Sequence, residues 1–280
     1  MKDINVLDII KTVKKLCIDS NYYLSKDVKD KIVEAQKSES WPMAKGILDK
    51  ILENVDTAEK EKMPMCQDTG MACVFVEIGQ EVHIVGGNLE EAINEGVRRG
   101  YTEGYLRKSV VCDPINRVNT KDNTPAIIYY NIVPGDKLKI TVAPKGFGSE
   151  NMSQIKMLKP ADGLEGVKKF VLKVVKEAGP NPCPPIVVGV GIGGSFDKAA
   201  NLAKKALIRP LDKRNPDKFY SNLEEELLNK INELGIGPQG FGGKTTAIAV
   251  NIETYPTHIA GLPAAVNINC HVTRHKEAIL

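Results

Sequence analysis

The sequence predicts a mixed α/β (α+β) fold: a helical N-terminal segment, then β-hairpins, then a glycine-rich αβ core. Three observations carry this. Apolar residues recur at three- and four-residue spacing through residues 1–60. Short β-branched runs bounded by Gly, Pro and Asp follow. In the second half, glycine clusters alternate with strand-like and helix-like stretches. No linker, repeat or low-complexity tract interrupts the chain, so residues 1–280 read as one domain with 1–60 as a helical subregion.

Ile4, Leu7, Ile10, Val13, Leu16 and Cys17 form one apolar stripe and predict the first helix. A second is expected over 26–37, and a third opens with Ser40 as N-cap and Pro42 in the first turn. Residues 71–78 read as a strand, with 81–85 as its hairpin partner across Gly79-Gln80. Asn88 caps a helix that runs through Glu90, Ala92, Val97 and Tyr101, and 125–133 with 137–143 form a second hairpin around Pro134-Gly135-Asp136. Helices are expected over 164–178, 196–207 and 224–234, and strands over 186–190, 246–252 and 264–270.

Composition narrows the function. A chain that is 42% hydrophobic and 26% charged is globular, and Lys plus Arg (38) against Asp plus Glu (35) leaves a net charge of +3 with the signs interspersed. That balance advertises neither nucleic acid nor an anionic membrane. No apolar run reaches the roughly 18 residues of a membrane span, and Asp3 and Asp8 stand where an export signal needs basic and apolar residues, so a cytoplasmic location is expected. Six cysteines are too sparse for a disulfide scaffold and should be thiols or ligands.

Two nucleotide motifs fall short. Gly189, Gly191 and Gly194 satisfy G-x-G-x-x-G between a strand and a helix, but no apolar strand ending in an acidic residue follows about 20 positions on. Gly243-Lys244-Thr245 resembles the end of a P-loop, yet Pro238 occupies the position of the required first glycine. Among the cysteines, Cys17 and Cys73 lie in apolar stripes and read as core, and Cys112 is undecided. Cys66, Cys183 and Cys270 sit in polar or proline-rich company, and none belongs to a C-x-x-C pair.

The runs Cys66-Gln67-Asp68-Thr69-Gly70, Lys145-Gly146-Phe147-Gly148-Ser149-Glu150-Asn151, Gly189 to Ser195, and Thr257-His258-Ile259-Ala260-Gly261-Leu262-Pro263 through Asn269-Cys270-His271 resemble the iron-sulfur-dependent class I fumarate hydratases and the related tartrate dehydratases. The likeness covers the chain from about residue 60 onward, and its length matches the α subunit of the two-subunit branch. The resemblance implies a [4Fe-4S] cluster held by Cys66, Cys183 and Cys270, with Cys112 the competitor for the second position. One iron would lack a protein ligand and act as a Lewis acid on a substrate hydroxyl and carboxylate.

It further implies substrate contacts from Gln67, Asp68, Arg107, His258 and the amides around Gly146 and Gly148, although this chain has Phe147 where the family loop often carries another glycine. No general base is assignable here, because the family places it in a separate β subunit. His271 and His275 carry no assigned role. The implied reaction is reversible hydration of fumarate to L-malate by a heteromer, with L(+)-tartrate dehydration as the alternative. An NAD-dependent oxidoreductase and a non-catalytic iron-sulfur module are the more remote readings.

Overall fold

A computed structural model describes residues 1–280. In chain order the elements begin β1 (Lys2–Asn5), α1 (Val6–Tyr22), α2 (Lys26–Ser38), α3 (Pro42–Glu61), β2 (Met71–Gly79), β3 (Val82–Val85), α4 (Leu89–Glu103), β4 (Ile127–Val133) and β5 (Leu138–Lys145). They continue α5 (Phe147–Glu150), β6 (Gln154–Leu158), α6 (Gly163–Ala178), β7 (Ile186–Gly193), α7 (Phe196–Ala206), α8 (Lys218–Asn232), β8 (Ala247–Tyr255), β9 (Leu262–Asn269) and β10 (Lys276–Ile279). The mixed α/β class is therefore observed. No helix is long and apolar enough to cross a membrane. The chain forms two compact units: Met1–Leu24, Val55–Gly146 and Arg274–Leu280 make the first, and Ser25–Asn54 with Phe147–Thr273 make the second.

The first unit is a four-stranded sheet, order β10-β5-β2-β4, with α1 and α4 packed together beside it. The helices approach closely because Gly96 and Gly100 face Val13 and Cys17, where a Cβ would come within 2.6 and 2.7 Å of their side chains. Ile9, Val13, Ile93, Val97 and Tyr101 thereby bury against Val74, Val76 and Ile140. The helix starts at Val6: residues 2–5 are a strand parallel to β3, Asn5 Oδ1 caps α1 by accepting the Leu7 N–H, and the buried stripe runs Val6, Ile9, Val13, Leu16 and Cys17 while the expected Leu7 is exposed. Asn88 caps α4 as expected, through the Glu91 N–H. At α3 the expected Ser40 cap is replaced, because Glu39 Oε1 accepts the Trp41 N–H just before Pro42.

Neither hairpin forms. β2 is a central strand, antiparallel to β5 and parallel to β4, so both of its edges are filled and β3 pairs with β1 instead. β4 and β5 are separated by β2, and the chain steps from one to the other across the end of β2. Gly79 makes room for that step, since a Cβ there would lie 2.3 Å from the Gly135 carbonyl oxygen. The Gly79 and Gln80 N–H groups accordingly donate to Lys137 and Val133 rather than across a hairpin.

The second unit has the sheet order β6-β9-β7-β8, with β7 parallel to β8 and antiparallel to β9. On one face Val188 and Val190 join the apolar sides of α6 and α8, including Val171, Val174 and Leu227. On the other face α7 lies so close to β7 that a Cβ on Gly189 would be 2.2 Å from the Ala203 carbonyl oxygen, and one on Gly191 2.1 Å from that of Ala199. The first two glycines of the G-x-G-x-x-G match thus serve helix-on-strand packing. Helix α8 starts before the expected residue 224, because Asp217 accepts the Phe219 N–H and sets the cap.

Candidate active site

In the first unit the Cys66–Gly70 segment is a loop whose carbonyls are captured one after another. Arg274 Nη2 donates to the Asp68 carbonyl at 2.6 Å, the Tyr101 hydroxyl lies 2.9 and 3.0 Å from those of Thr69 and Gly70, and Asn123 Nδ2 donates to Gly70. Burial pushes the Tyr101 phenol well above its usual range, so it stays a donor. Gly70, at φ +73°, passes so near the Lys145 backbone that a Cβ would approach it to 2.7 Å. Asp68 Oδ1 accepts the Gly70 N–H, which is the turn geometry of an aspartate, while its Oδ2 lies 3.2 Å from the place a Cβ on Gly146 would take. Thr69 Oγ1 donates to the Arg107 carbonyl, and the Arg107 side chain is exposed. Cys66, Gln67, Asp68, Arg107 and Gly146 therefore share one neighbourhood.

Asn123 buttresses it: at φ +62° and fully buried, its Oδ1 accepts the Ser109 and Val110 N–H groups beyond Arg107. Next to it, burial alone would raise Asp122, but the Thr124 N–H, Arg98 and neighbouring hydroxyls outweigh that and hold it at about 2, below its ordinary 3.8. A depressed carboxyl contributes stability that is complete above pH 4 and is lost as pH falls towards 2, about 2 kcal/mol at most. Asp122→Asn should lower stability at neutral pH and shrink its loss between pH 4 and pH 2, measured by acid titration of tyrosine fluorescence.

In the second unit Cys183 and Cys270 come together. The His271 N–H and ring Nδ1 both meet the Cys183 carbonyl, at 3.4 and 3.0 Å. Cys183 is exposed and adopts φ +56°, a left-handed conformation that costs a non-glycine residue about 1–2 kcal/mol. Gly148 belongs to the same end, since a Cβ there would lie 3.6 Å from the Asn181 carbonyl oxygen beside Cys183. His258 does not. It sits in the β8–β9 connection, exposed, with Nδ1 accepting the Ala260 N–H, beside a shallow pocket of about 460 Å³ lined by Lys198 and Tyr255. Cys270 follows the other end of β9, so the strand's length, about 25 Å at a rise of about 3.3 Å per residue, separates them.

The cysteines divide by environment. Cys17 and Cys73 are fully buried, and burial pushes the Cys17 thiol up to about 12, which makes it an inert core residue. Cys112 is exposed on a loop closed by the Val111–Asn119 bridge. Cys66 and Cys270 are half-buried, and no cysteine is in a disulfide. No three His, Cys, Asp or Glu side chains gather into a ready-made metal site. The supports of the Cys66 loop, Tyr101, Asn123 and Arg274, were not singled out from sequence, and neither was Gln239. Only the Asn123-Thr124-Pro125 run carried a local turn signal for any of them.

Each unit thus presents thiols on hydrogen-bonded turns, Cys66 in the first and Cys183 with Cys270 in the second. The fumarate hydratase (Fumerase) family model matches residues 10–279, and the chain belongs to that family. Among curated relatives, the putative L(+)-tartrate dehydratase subunit alpha of Methanocaldococcus jannaschii is 46% identical over 274 residues, covering 96% of both chains. The L(+)-tartrate dehydratase subunit alpha of Escherichia coli K12 is 34% identical over 252 residues, covering 89% of this chain and 82% of that one.

Proposed function

We propose that this chain is the α subunit of a [4Fe-4S]-dependent hydro-lyase that adds water reversibly across a four-carbon dicarboxylate, fumarate to L-malate, in assembly with a separate β subunit. The observation that carries the reading is the pairing of Cys183 and Cys270 through His271, with Cys183 exposed in a conformation that only its surroundings sustain. Soft thiolates of this kind suit an iron-sulfur group rather than a hard cation. Cys66, Cys183 and Cys270 would hold it, and when bound it supplies an open Lewis-acid iron.

The chain's own residues do the rest. The Arg107 guanidinium forks onto a substrate carboxylate in a geometry lysine cannot copy. Gln67 and Asp68 orient the substrate, and the Gly146 and Gly148 amides meet the charge that grows as a proton leaves carbon. The proton itself goes to a base on the β subunit. A substrate held at the cysteine end reaches His258 only if a second copy of this chain supplies that residue, so the assembly contains at least two α subunits. The names of the relatives favour a second reading, L(+)-tartrate dehydration, which differs by one substrate hydroxyl.

The test is iron and acid-labile sulfide per chain after anaerobic reconstitution, followed by assays of fumarate and L(+)-tartrate with the β subunit present. About four of each are expected for a cubane cluster, lost in Cys66→Ala, Cys183→Ala and Cys270→Ala and kept in Cys112→Ala. Absence of bound iron, or its loss only in Cys112→Ala, overturns the reading. The faster of the two substrates decides between the reactions.

A further inference from the structure

The glycine-rich stretch 235–243, which is not a P-loop, has a definite destination. It carries Gln239 at φ +52° to the Cys183 turn, where the Gln239 N–H and Nε2 both donate to the Pro184 carbonyl, each at 2.8 Å. His271 treats the preceding carbonyl the same way, with its N–H and Nδ1 both on Cys183 O. Two adjacent carbonyls are thus each gripped by the main chain and side chain of one residue. The Cys183 N–H is also engaged, by Pro180 O at 3.0 Å. Every polar backbone group that sets the direction of the Cys183 side chain is held, while the side chain itself remains exposed. The glycines make this delivery possible: Gly237, at φ +68°, leaves room for the Gly242 carbonyl 1.8 Å from where its Cβ would stand, and Gly240, at φ +81°, clears Pro180.

The tautomer follows from the same contacts. Nδ1 lies 3.0 Å from a carbonyl that can only accept, so Nδ1 carries the proton, and the Gln239 Nε2 group, 3.2 Å away, directs one of its two hydrogens to Pro184 O. Gln239 and His271 are therefore parallel donors to consecutive carbonyls.

We propose that Gln239 and His271 are positioning residues that hold Cys183 in its left-handed conformation as a preorganised ligand, so that the 235–243 loop acts as the second support of the iron-sulfur site. This rests on the hydro-lyase reading, because it takes Cys183 as a cluster ligand. A left-handed cysteine left without its two grips relaxes towards ordinary backbone angles and swings its thiol away.

The experiment follows iron release from the anaerobically reconstituted full chain to a ferrous chelator, with circular dichroism and thermal melting as controls for folding. Outer supports of metal ligands are worth about 10- to 100-fold in affinity, so His271→Ala and Gln239→Ala should each release iron about 10-fold faster or more. His271→Asn, whose amide N–H stands close to where Nδ1–H stood, should restore most of the wild-type rate; Gln239→Glu, which turns a carboxylate towards a carbonyl, should not. Should His271→Ala fail to fold, the two Gln239 variants decide the matter. Wild-type release rates in folded Gln239→Ala and Gln239→Glu overturn the proposal. If Cys183→Ala itself keeps its iron, the ligand assignment beneath the proposal has failed; if Cys183→Ala loses iron and the clamp variants do not, only the clamp has.

Discussion

Chains carrying His258→Asn and chains carrying Cys270→Ala, each expected on the proposed hydro-lyase reading to be inactive in its own assembly with the β subunit, should regain activity when the two are co-assembled. The reason lies in β9, whose length separates the two residues within the second unit. A four-carbon acid is far shorter than that strand. If both residues serve one substrate, they come from different copies, as a symmetric pair permits, each copy lending His258 to its neighbour. Random mixing makes half of the pairs mixed, and each mixed pair holds one intact site and one doubly damaged site. Recovery should approach about a quarter of wild-type activity, against losses of about 100-fold or more for either variant alone. If His258 acted within its own copy, no intact site would form in any mixture. Mixed assemblies verified by affinity tags yet lacking activity would remove the two-copy arrangement.

Gly191→Val should strongly destabilise the second unit. A Cβ at this position would lie 2.1 Å from the Ala199 carbonyl oxygen and 2.6 Å from the Ala203 N, both backbone atoms of α7 that cannot rotate aside. The helix must lift from the central strand or β7 must shift within its sheet, at a cost of about 3 kcal/mol or more. Soluble yield and melting temperature should both fall sharply. Gly148→Ala is the matched contrast. Its nearest neighbour, the Asn181 carbonyl oxygen, would be 3.6 Å away, an ordinary contact, so stability should hold within about 0.5 kcal/mol. Any rise in KM for Gly148→Ala then reports on the loop amides and not on folding. A Gly191→Val chain that melts like wild type would show that the helix does not need this close approach.

The helices were legible because their evidence is local. The stripe through Val13, Leu16 and Cys17 and the cap at Asn88 are written within single turns of chain. Strands were legible as strands but not as partners, since the apolar β-branched runs at 71–78 and 125–133 mark extended chain and say nothing about which neighbour fills each edge. The decisive residue for the second misread hairpin, Gly79, makes sense only beside Gly135. The glycines at 189 and 191 were conspicuous for the wrong reason, and the signal that explains them is the pair of small residues, Ala199 and Ala203, on the facing helix. At the candidate site, the Cys-Gln-Asp-Thr-Gly loop stands out in sequence, but its supports lie scattered from Tyr101 to Arg274 and become meaningful only when their hydrogen bonds are traced. The same holds for Gln239, an unremarked residue in a glycine loop until it is found on the Pro184 carbonyl.

The first unit closes with Arg274–Leu280, which supply the β10 edge strand against β5 and the guanidinium under the Asp68 carbonyl. On a ribosome these residues emerge after the whole of the second unit has been made. The first unit is therefore closed after the second has been made, and the Cys66 loop lacks its arginine support until Arg274 has been added. The order of synthesis thereby delays closure of the first unit until residues 25–54 and 147–273 of the second have been made.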